Sequence, residues 1–297
     1  MNFALSYRVD FYPRVQGGLA IPIETYARSV DRALVELGHK TSNVYNSEWD
    51  PKDFDILLEL DNGRDPQGNL GFGQHSGRTK GLPTAVWFVD SHGQPDLHKS
   101  LAPSYDHIFF AVWHRRDLFT GHKSAHWCPN ATDPSFFYEI LNDVRFNFGF
   151  FGSKRGLDRA NDMVEICKAQ NWSYDVRSIG KAYKHKWPNT CEAMSNCAIL
   201  YNRGQKHDLN LRIFESMIVN RPLLNNIDEK NGMDQLFTLG EHYLGYSSKF
   251  DLLSQMSYAI KNPTECAIIA AKAQKLVMEK HLIKHRVEQM LSVITGA

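Results

Sequence analysis

The strongest constraint on this chain is a three-part pattern that occurs twice: a short apolar run, a glycine-containing loop, and a stretch with apolar residues at helical spacing. In the first copy, residues 3–7 supply the run and Gly17 and Gly18 the loop. Ile23, Ala27, Val30, Leu34 and Leu37 then keep helical spacing up to Gly38, a residue suited to closing a helix. In the second copy, residues 146–151 lead into Gly152, Ser153, Lys154, Arg155 and Gly156, and residues 158–170 read as a helix. A strand that passes through a loop into a helix and returns as another strand builds a parallel sheet with crossover helices. The apolar runs at 54–60, 84–89 and 107–112 extend the first sheet, and those at 174–179, 198–201 and 222–225, with a helix over 211–219, extend the second. Two successive open α/β units follow.

The second unit begins near Arg145, after the turns at Pro129 and Pro134, so the expected domains are 1–143 and 144–280, with 281–297 as a closing helix. Residues 62–81 are rich in Gly, Asn and Gln and lack apolar periodicity, which reads as a long loop over a site. From 263 to 294 a helical pattern puts Cys266, Ala270, Ala273 and Val277 on one face. It is read either as an ordinary closing helix or as one that crosses back to brace the first unit.

Composition removes several classes. The chain has 297 residues, 42% of them hydrophobic and 12% aromatic, enough to fill two cores, which argues against a disordered or fibrous chain. With 34 Lys and Arg against 33 Asp and Glu, no overall field recruits a polyanion or a membrane surface. The five cysteines form no CxxC pair and read as buried reduced thiols. Charges interrupt the first 14 residues where a signal peptide needs a continuous apolar core, and no later run spans a membrane. The expected location is cytoplasmic.

Chemistry concentrates in the segment 202–225. A carboxylate on a helix can accept bidentate hydrogen bonds from a ribose diol, and the N–H groups and positive dipole at the start of a helix attract a diphosphate. Glu215, with Arg212 one turn before it, supplies both charge types; by spacing alone the pair is equally an i, i+3 ion pair on a solvated face. Lys154 and Arg155 after Gly152 can hold phosphate or form a solvated basic turn. In the first half, Gly17 and Gly18 allow close backbone approach to a phosphate or sugar, without matching the GxGxxG fingerprint. Asp90 and His92 follow a buried strand and are of the type needed for a base at an acceptor hydroxyl, or form a structural turn. The 13 histidines, among them His114, His122 and His126, show no HExxH order and no cysteine at finger spacing, so no metal site is expected; GxSxG is also absent.

The run LNLRIFESMIVNRPLLNN resembles the R-x-F-E-A-x-A-x-G block of the CgeB-like glycosyltransferases, relatives of the group-1 retaining glycosyltransferases. Ser216 and Asn220 stand where that block usually has alanine and glycine. Further likenesses keep the family's order: PTAVWFVDSHGQPDLHKSLAPSYDHIFFA, HWCPNATDPSFF, FGFFGSKRGLDR, MDQLFTLGEHYLGYSSKFDLLSQMSYAIKNP and KHLIKHRVEQML, covering most of the chain from Pro83 onward. The resemblance implies a GT-B fold, two facing Rossmann-like domains with the ligand between them. It implies transfer of a sugar from a nucleotide-diphosphate sugar to an acceptor hydroxyl, with no cofactor. Residue by residue, it implies Glu215 at the ribose, Arg212 at the nucleotide or its phosphates, Gly152, Ser153, Lys154 and Arg155 at the diphosphate, and Asn202 and Arg203 at the polar step before the block. His207 stands where the group-1 enzymes usually carry a second glutamate. On the acceptor side remain Gly17, Gly18, Asp90 and His92. Acceptors range over saccharide, protein and small-molecule hydroxyls and, by analogy with phage DNA glycosyltransferases, a hydroxymethylated DNA base, for which Trp113, His114, Arg115 and Arg116 form the best local patch. The rival reading is a non-catalytic sugar-nucleotide-binding protein of the same fold; a nicotinamide-dependent oxidoreductase is more distant.

Overall fold

The computed structural model describes residues 1–7, 26–45, 47–61, 81–152, 154–178 and 187–297, without the side chains of Tyr26, Lys154, Arg155, Trp187 and Pro188. They form two compact units, Met1–Asn130 with Ile283–Ala297, and Ala131–Leu282.

Unit 1 is a six-stranded parallel sheet in the order β2-β1-β3-β4-β5-β6. The strands are β1 (Asn2–Ser6), β2 (Lys40–Asn43), β3 (Ile56–Leu60), β4 (Thr84–Phe88), β5 (His107–Phe110) and β6 (Ala125–Trp127). Its helices are α1 (Tyr26–Glu36), α2 (Pro95–Leu101) and α8 (Ile283–Thr295). Strands β3 and β4 are buried along their whole length, the mark of a sheet covered on both faces. One face carries Val86, Phe88, Ile108 and Phe110 against Ala102, Tyr105 and Phe119. Trp87 alternates to the other face, where its Nε1 donates to the Cys128 carbonyl at 2.9 Å. Helix α8 packs on α1 and β5, so the last helix does cross back to the first unit.

Unit 2 is a five-stranded parallel sheet in the order β11-β10-β9-β7-β8. Its strands are β7 (Phe146–Gly152), β8 (Tyr174–Ser178), β9 (Cys197–Asn202), β10 (Leu223–Asn226) and β11 (Leu244–Tyr246). Its helices are α3 (Asn161–Gln170), α4 (Trp187–Ser195), α5 (Leu211–Ile218), α6 (Lys249–Lys261) and α7 (Pro263–Lys280). Phe148, Phe150, Ile199 and Tyr201 of the sheet pack with Met163 and Ile166 of α3 and Leu252 and Met256 of α6. In chain order both sheets run second, first, third, fourth, fifth. The order therefore reverses between β1 and β3 in unit 1 and between β7 and β9 in unit 2, the switch points beside which such sheets bind ligands, beyond the carboxyl ends of the strands.

Several expectations need correction. The units part at Asn130, not near 143, because 131–143 is tied to the second unit: Cys191 Sγ donates to Phe136 O, Ser195 Oγ accepts from Ile140 N, and Asn220 Nδ2 donates to Glu139 Oε1. The tail is two helices. It breaks at His281, whose carbonyl accepts from Thr132 N at 3.3 Å, and α8 begins at Ile283. Residues 154–160 form a short 3-10 segment kinked at Gly156 before α3 starts, so the helix expected from 158 begins at Asn161. The loop expected over 62–81 lies outside the described residues apart from Gly81. Among the described residues no helix is long and apolar enough to cross a membrane, and all five cysteines are buried and free.

Candidate functional site

The ends of three strands of unit 2, β9, β10 and β11, are tied to one another and to the loop that leads into α5. Asn202, the last residue of β9, is buried and donates from Nδ2 to Asn225 Oδ1 of β10 at 2.7 Å. Asn226 Oδ1 accepts from Gly204 N at 2.6 Å, drawing the β9–α5 loop back over the sheet edge. Tyr246 at the end of β11 donates to the Tyr201 hydroxyl at 2.8 Å, and that hydroxyl donates to Arg159 O at 3.2 Å. Lys206 and His207 in the same loop take left-handed backbone conformations, with φ of 51° and 57°. For residues other than glycine this stores local strain. His207 Nδ1 lies 2.9 Å from both carboxylate oxygens of Asp228.

Helix α5 begins after Asn210, whose side chain makes no capping hydrogen bond. Arg212 Nη1 lies 2.8 Å from Glu215 Oε2, and the two side chains are only 15% and 10% exposed. This pair is not the solvated i, i+3 bridge that spacing alone allows. The arginine runs over the Phe137 ring, with its guanidinium carbon 6.0 Å from the centroid, and meets Met194 Sδ at 3.7 Å. Arg212 Nε and both polar atoms of the Asn210 amide are buried without a protein hydrogen-bond partner. Such atoms are rare and call for a physical reason.

Arg159, which nothing in the sequence singles out although it closes the run FGFFGSKRGLDR, belongs to this group. Its Nε donates to Gly156 O and its Nη1 to Arg203 O, each at 3.1 Å, with the guanidinium 5.7 Å from the Phe150 ring centre. Gly152 ends β7 as expected, but a Cβ there would lie 2.8 Å from Phe150 Cε1, so packing alone requires glycine. Arg203 is about half exposed and pairs with Asp162 Oδ2 of α3 at 2.8 Å, directed across the surface. The side chains of Lys154 and Arg155, and Ser153 altogether, lie outside what is described, as do Gly17 and Gly18 in unit 1.

In unit 1 the expected pair sits on the turn after β4. His92 Nε2 is 3.1 Å from Asp90 Oδ1, at side-chain exposures of 22% and 48%. Beneath it lies a group missed from sequence: Asp61 past β3, Ser91, and His98 on α2, all fully buried. Ser91 Oγ is 2.9 Å from His98 Nδ1, His98 Nε2 is 3.4 Å from Asp61 Oδ2, and Asp61 Oδ2 accepts from Asp90 N at 3.3 Å. Burial, and to a lesser degree the neighbouring His92, pushes the His98 imidazole down to about 4. An acid just past a buried parallel strand was the only clue to Asp61. Farther along, Arg116 lies 4.7 Å over the Trp113 ring, which packs on Trp127. Among the described residues no three His, Cys, Asp or Glu side chains gather closely enough to hold a metal ion.

Comparison with known families assigns the chain. Residues 135–292, more than half of it, match the glycosyl transferase-like family, and the protein belongs to that family. Among solved structures the chain is similar to TarM from S. aureus, crystallised with UDP, at a TM-score of 0.58 and 12% identity, covering 80% of this chain and 55% of TarM. It thus spans little more than half of that protein. It is also similar to sucrose-phosphate synthase from Thermosynechococcus elongatus, at 0.57 and 10% identity over 91% of this chain and 92% of the other. A third is HepE from Anabaena in complex with UDP and glucose, at 0.57 and 9% identity over 92% and 90%. The fold is α/β of the GT-B class. No curated protein matches the chain.

Proposed function

We propose that the protein transfers a sugar from a nucleoside-diphosphate sugar to an acceptor hydroxyl, that unit 2 holds the donor and unit 1 the acceptor, and that within its family it is of the CgeB-like kind. The observation that carries this reading is the Arg212–Glu215 pair, buried at 2.8 Å beside the switch point of unit 2. A buried ion pair is a poor stabiliser relative to apolar side chains of the same size, so its presence at strand ends suits a binding role. A carboxylate has several acceptor lone pairs and can take a ribose diol while paired. In this reading Arg212, Arg159 and the first N–H groups of α5 face the diphosphate, with Gly152 beside Arg159. Such a set of cations and amides stabilises a departing diphosphate without a divalent ion. That TarM and HepE were solved with UDP supports a uridine diphosphate donor. Whether a hexose or a pentose is moved follows from the donor.

On unit 1, Asp90 and His92 are the groups suited to receive the acceptor proton. Acceptors of this reading are saccharide or protein hydroxyls, or a hydroxymethylated DNA base, which would meet Arg116 and Trp113. The test is a thermal-shift panel of nucleotide sugars followed by an assay of nucleoside diphosphate release. A donor at a hundred times its Kd adds roughly 2.7 kcal/mol. Release that Glu215→Ala abolishes supports the reading. Binding without turnover on any acceptor library would make the protein a sugar-nucleotide sensor instead.

A further inference from the structure

Among the polar side chains that unit 1 buries, three meet one another beneath the turn after β4. Asp61, Ser91 and His98 are each fully inaccessible, and they come from three separate elements: the end of β3, the turn after β4, and α2. Burying a carboxylate and an imidazole is costly unless they meet polar partners, and these side chains are among each other's partners. His98 Nε2 lies 3.4 Å from Asp61 Oδ2, within ion-pair reach. His98 Nδ1 and the Ser91 hydroxyl, 2.9 Å apart, share a hydrogen bond. Asp61 Oδ2 also accepts from Asp90 N at 3.3 Å. The Phe88 ring, stacked on His98 at 4.3 Å and 18°, fixes the plane of the imidazole.

The turn is thereby held at two consecutive residues, Asp90 by its backbone and Ser91 by its side chain, while Asp90 and His92 keep their carboxylate and imidazole outside and 3.1 Å apart. We propose that the Asp61–His98–Ser91 chain is a positioning device for the Asp90–His92 pair, with His98 as its central positioning residue. This rests on the acceptor role given above to that pair. His98 itself touches no substrate.

The test compares the full chain with His98→Phe, which keeps the ring stack and removes the Ser91 hydrogen bond and the polar contact with Asp61, and with His98→Gln, whose amide can hydrogen-bond Ser91 and reach Asp61. Amide hydrogen exchange of residues 89–93 is expected to quicken by up to about tenfold in His98→Phe, as losing a buried hydrogen bond implies, and to return most of the way in His98→Gln. Should His98→Phe fail to fold, Ser91→Ala is expected to loosen the same five residues. No change there, or an equal change throughout unit 1, overturns the proposal. With UDP-glucose as probe, His98→Phe is expected to lower kcat for UDP release with KM unchanged; loosening with no loss of kcat also overturns it. If Asp90→Asn and His92→Ala keep the wild-type rate while the local loosening is seen, the acceptor reading of the pair fails and the tethering of the turn stands. If the wild type releases no UDP from any nucleotide sugar, the transferase reading fails and the exchange result alone decides.

Discussion

The two units share one strand order and differ in what they build at the strand ends. In unit 2 the polar groups are long and charged: Arg159, Arg212 and Glu215 sit on or next to helices that start just past β7 and β9. Among the described residues of unit 1, Asp61, Ser91 and His98 lie wholly inside while Asp90 and His92 emerge on a turn. The same topology thus offers two devices. A helix beginning at a switch point presents cations and N–H groups to an anion, whereas a turn clamped from below presents one acid and one imidazole at a fixed distance. In the proposed reaction the first would hold the diphosphate and the second would receive the acceptor proton.

The largest effect that would break this contrast is expected from Glu215→Ala. It should remove nucleoside diphosphate release, and leaving Arg212 buried without its partner should cost about 3–5 kcal/mol in denaturant unfolding. A Glu215→Ala protein with wild-type turnover would leave unit 2 no more charged in function than unit 1. Next is acid sensitivity in unit 1. Because the folded pKa of His98 is depressed to about 4, the unfolded chain binds a proton that the folded chain refuses between the ordinary histidine value and about 4. Stability therefore falls as pH drops through that window, by up to ~3 kcal/mol, and His98→Phe should lose this pH dependence. Unfolding midpoints from pH 7 to pH 4 measure it.

A smaller effect tests whether packing alone supports the unit 2 site. Gly149→Ala would set a Cβ 2.5 Å from Cys197 Sγ and 2.8 Å from Phe151 Cε2, so overpacking between β7 and β9 should cost about 1–3 kcal/mol, read as a lower Tm with donor affinity retained. The smallest change is expected from Arg203→Ala. Its half-exposed bridge to Asp162 should be worth less than about 1 kcal/mol, so a change in donor Kd beyond twofold would return Arg203 to the donor site.

Much of this was legible beforehand, and the reasons are local. Runs such as Ile56–Leu60 and Phe146–Gly152 are strands in any context that covers both faces, and the repeat of strand, loop and helix announced two parallel sheets. Polar or very short strands escaped: β2 is Lys-Thr-Ser-Asn, and β6 and β11 have three residues each, too few for a period to register. Helix α4 carries no strong apolar stripe and was also missed. In the candidate site, Arg212 and Glu215 were singled out by the block LNLRIFESMIVNRPLLNN, and Asp90 and His92 by their place after a buried strand. Arg159 and His98 were not, because each acquires its role from a partner on another element, Arg203, 44 residues away, for the one and Asp61 for the other.

Sequence by itself determined the class of fold and the family, since periodicity, loop glycines and the order of short blocks are properties of neighbours in the chain. Tertiary structure decided whether a charge was buried or solvated. Arg212–Glu215 and Arg203–Asp162 are both arginine–carboxylate pairs at 2.8 Å, yet one is enclosed by Phe137 and Met194 and the other lies at the surface. What separates them is the dielectric set by residues distant in sequence, and that is a property of packing.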